Sequence, residues 1–210
     1  MVVPVDAIRS FHNAFRKDMA QIDAAALDMA RGNSSASIVL ERLPFFSEVL
    51  DWHAKREEAG VFPALEKVAP DVAWAYERDH RGLDEAYDNL NRSYIDMDLL
   101  QTARASAALH FHLKIHLLKE DAHLYRIFAE RIPLTEQKKA LEIMAGSVPQ
   151  ERFLELVEWW ISMVGQEDRE NIIRIWQMVL PPPAFAEARE VIQKVTGSDW
   201  IELTRRIPGL

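Results

Sequence analysis

The chain has 210 residues, a length for one generous domain or a core domain with an appendage. Hydrophobic residues make up 49% and charged residues 28%, enough for a real core, and the formal charge of −8 argues against a polyanionic partner such as nucleic acid. Cysteine is absent, which excludes disulfides, thiolate zinc sites, iron–sulfur clusters and a cysteine nucleophile, so any metal must be held by nitrogen and oxygen.

The sequence opens Met-Val-Val-Pro-Val-Asp, without a basic region followed by a long apolar run. The longest uncharged stretch, 175–186, carries three prolines and is too short to span a bilayer. The expectation is a cytoplasmic protein without membrane association.

Seven glycines, no strand-like alternation and recurring helical stripes predict an all-α fold. The first helix opens near Pro4, carries Ile8, Phe11, Phe15, Met19, Ile22, Ala26 and Met29 on one face, and stops at Gly32-Asn33. A second stretch runs from about Ser37 to Glu58, with Pro44 as a break and Gly60 as its end; Phe46, Val49, Leu50, His53 and Glu57 form its stripe. The third spans about Pro70 to Arg92, with Ala73, Tyr76, His80, Leu83, Tyr87 and Leu90 facing in. The fourth runs from about Asp98 to Arg131, with Leu109, Leu113, His116, Glu120, Leu124 and Ile127 inward, and Pro133 closes it. Four amphipathic helices with short connections predict an antiparallel up-down-up-down bundle over residues 1–133. From Leu134 the helices become shorter, and residues 134–210 are expected to form an extension packed on the bundle. There Trp159 and Trp160 are read as buried packing rather than a ligand platform.

The informative feature is where polar residues interrupt the apolar stripes. His12 follows Ile8 by one turn; His53 and Glu57, His80, then His116 and Glu120 occupy slots where apolar residues would continue the faces. The order is His, His-x-x-x-Glu, His, His-x-x-x-Glu. Residues four apart share a helix face, so an imidazole and a carboxylate so placed can converge on one ion or bridge two. Counting along the helices puts all four positions at depths of roughly 9 to 21 Å from one pole of the bundle. Burying two carboxylates and four imidazoles without a metal would demand compensating partners or altered protonation.

This ordered set resembles the hemerythrin family, in its broad HHE cation-binding branch, over about residues 5 to 135. The flanks fit as well: Glu57-Glu58 followed by Val61-Phe62-Pro63-Ala64-Leu65 looks like the family's recurrent Glu-Glu and Phe-Pro-x-Leu, and Glu120-Asp121 with Leu124-Tyr125 is a looser echo. The resemblance implies two iron ions with a bridging oxo or hydroxo group, Glu57 and Glu120 bridging, and His12, His53, His80 and His116 as terminal ligands. The sequence departs from oxygen-carrying hemerythrins, which place two histidines four apart on the third helix and end the fourth-helix pair with His-x-x-x-x-Asp. Here Asp84 is the residue four beyond His80, and Asp121 is the alternate to Glu120, giving six protein ligands, or seven if Asp84 reaches. His112 and His123 lie on nearly the same face as His116; they are read first as half-buried polar residues at the helix interface and second as donors supporting a ligand. His110 points elsewhere and is expected in solvent.

A ferritin-like reading through Glu77-x-x-His80 and Glu120-x-x-His123 fails, because the first helix has no glutamate and His12 and His53 go unexplained. The resulting expectation is a di-iron protein that binds dioxygen or a related diatomic for sensing, storage or iron and redox handling. A di-iron oxidase or peroxidase and a metal-free helical interaction module are the alternatives. No nucleic-acid or membrane partner is expected, and a protein partner would use the C-terminal helices.

Overall fold

The structure is a computed structural model that describes residues 4–145 and 150–210. Among these residues the chain is helical throughout, with no strand, as the periodicity demanded. No helix is long and apolar enough to cross a membrane among the described residues.

Helix α1 (Pro4–Ala30) starts on proline, whose missing N–H costs nothing in a first turn. It ends where Gly32 adopts a φ of 95°, letting the Asn33 N–H return to the Asp28 carbonyl at 3.0 Å. After a short turn of helix α2 (Ser37–Leu40), α3 (Leu43–Arg56) carries Pro44 in its own first turn, so the proline starts this helix rather than kinking one.

The expected stop at Gly60 does not occur. The chain widens into a π turn at Glu57–Val61 and continues as α4 (Phe62–Glu66). Gly60 has a packing role instead, since a Cβ there would sit 2.7 Å from the Ala140 carbonyl oxygen. The missing side chain lets helix α8 (Leu134–Ala145) lie against the π turn.

Helix α5 (Pro70–Ile95) and helix α6 (Leu99–Lys119) form a tightly packed hairpin. Its corner places Met97 at a φ of 57°, and Asp98 caps α6 by accepting the Gln101 N–H at 3.0 Å. Helix α6 passes through a second π turn, Glu120–Leu124, into α7 (Tyr125–Arg131). The remaining helices are α9 (Phe153–Met163), α10 (Gln166–Val179), α11 (Pro182–Thr196) and α12 (Trp200–Arg206).

The chain separates into two compact units, Asp18–Ser147 and Met1–Lys17 with Val148–Leu210. Thus α8, expected at the start of the extension, groups with α3 to α7, and the first turns of α1 group with the C-terminal helices. In the first unit the core runs through Phe46, Leu65, Leu83, Leu109, Leu113 and Phe128, all buried. In the second, Trp160 donates its indole N–H to the Ser10 hydroxyl at 3.0 Å and packs on Phe11 and Trp176. Trp159 and Trp160 are therefore buried packing residues.

Candidate metal centre

Two His-x-x-x-Glu pairs straddle the ends of α3 and α6, and each glutamate opens a π turn. The ring closes with the Phe62 N–H on the Glu57 carbonyl and the Tyr125 N–H on the Glu120 carbonyl. Such a turn accommodates one extra residue in a continuing helix, and π turns recur at functional sites for that reason. Here the distortion is duplicated at equivalent places: the histidine sits in the regular helix and the carboxylate at the onset of the wider turn.

The side chains converge. His53 Nε2 stands 3.4 Å from Glu57 Oε1, and His80 Nε2 stands 3.4 Å from Glu57 Oε2 and 3.9 Å from Glu120 Oε1. His116 Nε2 is 3.1 Å from Glu120 Oε1. Glu57 and Glu120 are wholly buried, and the three histidines are about 95% buried. One donor atom from each of Glu57, His80, His116 and Glu120 lies within 4.8 Å of the others, and His53 groups in the same way with the two glutamates. Metal–ligand bonds of about 2 Å put two donors of one ion at most about 4 Å apart, so these spacings need only a small closure. His12 is fully buried on the stretch of α1 that belongs to the other compact unit.

A second layer of carboxylates fixes the His80 ring and flanks His116. His80 Nδ1 pairs with Glu58 at 2.8 Å, and His116 Nδ1 faces Asp79 at 3.7 Å, with Lys119 bonded to the same aspartate. A carboxylate on the far nitrogen orients an imidazole and leaves its Nε2 to face the site. Tyr125, deep in the core, donates its hydroxyl to Glu57. Phe62 stacks on His80 at 5.2 Å, and the His80 and His116 rings meet edge-on at 4.9 Å.

The electrostatics of the cluster are set by its buried carboxylates. Burial alone would depress His80, but the Glu120 and Glu57 carboxylates outweigh it and raise the imidazole to about 11. In His116 burial is likewise overcome by Glu120 and Asp79, giving about 9. The His116 imidazole, against the cost of burial and with help from Lys119, holds Asp79 down to about 2. Burial, then the neighbouring carboxylates, push both Tyr76 and Tyr125 upward, so both hydroxyls stay neutral. Glu57 Oε2 and His80 Nε2 are buried without a hydrogen bond although 3.4 Å apart. An imidazole nitrogen and a carboxylate oxygen left open toward each other are the donor set that a divalent cation takes, so these residues fit a metal.

The remaining sequence candidates fall outside the cluster. Asp84 is exposed and lines a surface pocket of about 420 Å³ with Glu48, Asp51 and Asp88. Burial and then the Asp51 charge raise its carboxyl. Asp121 is half-buried beside Glu120, while His112 and His123 are exposed, not half-buried as their helix positions suggested. His110, expected in solvent, is half-buried and pairs with Asp23 at 2.9 Å.

The known family that matches this chain is the hemerythrin HHE cation binding domain. The match runs over residues 3–99. These hemerythrin-like residues include His12, His53, Glu57 and His80, and stop short of His116 and Glu120. The curated relatives include the zinc finger protein BRUTUS of Arabidopsis thaliana, 22% identical over 187 residues, 86% of this chain and 15% of the relative. A BRUTUS-like zinc finger protein of the same plant is 22% identical over 204 residues, 88% of this chain and 16% of the relative. The chain thus spans about one-sixth of the length of the relatives it matches. No solved structure matches.

Proposed function

We propose that this chain is a hemerythrin-like, four-helix, up-down-up-down metal-binding domain with a two-iron centre bridged by an oxo or hydroxo group. The observation that carries the reading is the burial of Glu57 and Glu120 among His53, His80 and His116, with donor atoms already at near-ligand spacing. Glu57 and Glu120 would bridge, because each belongs to both donor groups. His80 and His116 would serve one ion and His53 the other. His12 is proposed as a further nitrogen donor because the resemblance to the family implies it, and its imidazole is fully buried.

When bound, two irons would supply the redox-active centre that takes up dioxygen or a related diatomic. The protein's share is positional. Glu58 holds the His80 ring in one orientation, Asp79 faces the His116 ring as a nearby negative charge, and Tyr125 fixes the carboxylate of Glu57. Phe62 and Tyr76 wall the histidines from water. Ligand binding in the service of sensing, storage or iron and redox handling is the role this enclosed site suits.

The test is metal stoichiometry in variants. Glu57→Ala should lower the content from two ions per chain to one or none, whereas Asp84→Ala should leave two. Two ions retained in Glu57→Ala would remove Glu57 from the bridge.

A further inference from the structure

Helix α6 is apolar on both faces. Inward it presents Leu109, Leu113 and Leu117, all buried. Outward, Leu100, Phe111, Ile115 and Leu118 are 58%, 64%, 42% and 48% exposed and fall on one line along the helix. Ala107 and Ala108 fill the middle of that line, and Ala122 extends it into the following π turn, all three exposed. The only charged residue in the line is Arg104, and no acidic residue occurs from Leu99 to Lys119 in a chain of net charge −8. A contiguous exposed apolar ridge of this kind marks an interaction surface.

We propose that this outer ridge of α6 is a homodimer interface, with two copies pairing their α6 helices antiparallel about a twofold axis at Phe111. The argument is self-complementarity. With Phe111 opposite its own copy, Ala107 and Ala108 face Ile115 of the second chain, and Leu100 faces Ala122. Large residues meet small ones on both sides of the axis, as interdigitating helices require. Arg104 falls opposite Leu118, one turn from Asp121, and its side chain is long enough to reach that carboxylate in the second copy. An isologous interface needs such reciprocity, because each contact is made twice.

The ridge, Leu100 to Ala122, covers 23 residues, about 33 Å of helix, and is about 10 Å wide. That footprint, about 330 Å², is smaller than the about 800 Å² per partner of a standard interface, so the dimer is a weak, concentration-dependent one. The absence of acidic side chains from 99 to 119 lowers the repulsion between two chains of charge −8 at this face.

The test is sedimentation velocity on the full chain from about 1 to about 300 μM, a span that brackets micromolar dissociation. The wild type should shift from monomer to dimer, and Phe111→Glu should remain monomeric with an unchanged circular dichroism spectrum, since the side chain is mostly in solvent. A cysteine-free chain also permits a direct geometric check. Phe111→Cys should cross-link to a covalent dimer under mild oxidation with oxidised glutathione, whereas Ile38→Cys, equally exposed on α2, should not. A wild type monomeric throughout would overturn the proposal and leave another protein's helix or a lipid surface as the occupant. A dimer that survives Phe111→Glu, or one in which Ile38→Cys cross-links as readily as Phe111→Cys, would also overturn it.

Discussion

Tyr125→Phe removes one oxygen from the core and changes no shape. In the wild type that hydroxyl donates to Glu57, a carboxylate with no access to solvent. A hydrogen bond to a buried charged group contributes about 1.5–3 kcal/mol. In the metal-free protein the full amount should be lost, because water cannot replace the donor. For a chain of this length, about 2–4 °C of melting temperature corresponds to each kcal/mol, so the midpoint should fall by about 3–12 °C. In the metal-loaded protein a cation sharing Glu57 takes over much of the compensation of its charge, and the fall should be clearly smaller. The assay is differential scanning calorimetry of both proteins with and without bound metal. Equal losses in the two states would refute the placement of Glu57 at a metal. No loss in either would refute the Tyr125 contact.

Two other perturbations test the frame around the centre. Gly60→Ala places a methyl 2.7 Å from the Ala140 carbonyl oxygen, where backbone must give way. Urea unfolding should show a cost of about 1–3 kcal/mol, as for other overpacked sites, and a neutral substitution would refute the close approach of α8 to the π turn. Chelating the metal should lower the melting temperature in proportion to the lost binding. Free metal at 1,000 times its dissociation constant adds about 4 kcal/mol, about 8–16 °C here, and a midpoint independent of metal would contradict a folded-state site.

The helical character and most of the candidate ligands were legible in the sequence because both depend on local spacing. His53 and Glu57, or His116 and Glu120, share a face at four residues apart, and their occurrence in otherwise apolar stripes marks them as buried. What the spacing could not carry was the departure from ideal helix. Gly60 reads as a stop signal, yet its lack of a side chain serves a contact with Ala140, eighty residues away in sequence. The π turns change the helical phase beyond each glutamate, and His123, which sits inside the second one, is exposed. The supporting groups were equally hidden. Glu58 and Asp79 look like ordinary surface acids, and only tertiary packing brings one to His80 and the other to His116. Their one local signal is adjacency, since Glu58 follows a ligand and Asp79 precedes one. Asp84 shows the converse: one turn beyond His80 it has suitable spacing, but it opens onto an acidic surface pocket with Asp51 and Asp88.

Glu57 and Glu120 are proposed to lie inside the protein in order to hold metal, and elemental analysis of protein purified without chelator tests that directly. Two iron ions per chain, removed by chelation and restored by anaerobic addition of ferrous iron, is the predicted result. A fully folded chain that contains no metal and cannot be reconstituted with two ions would contradict it.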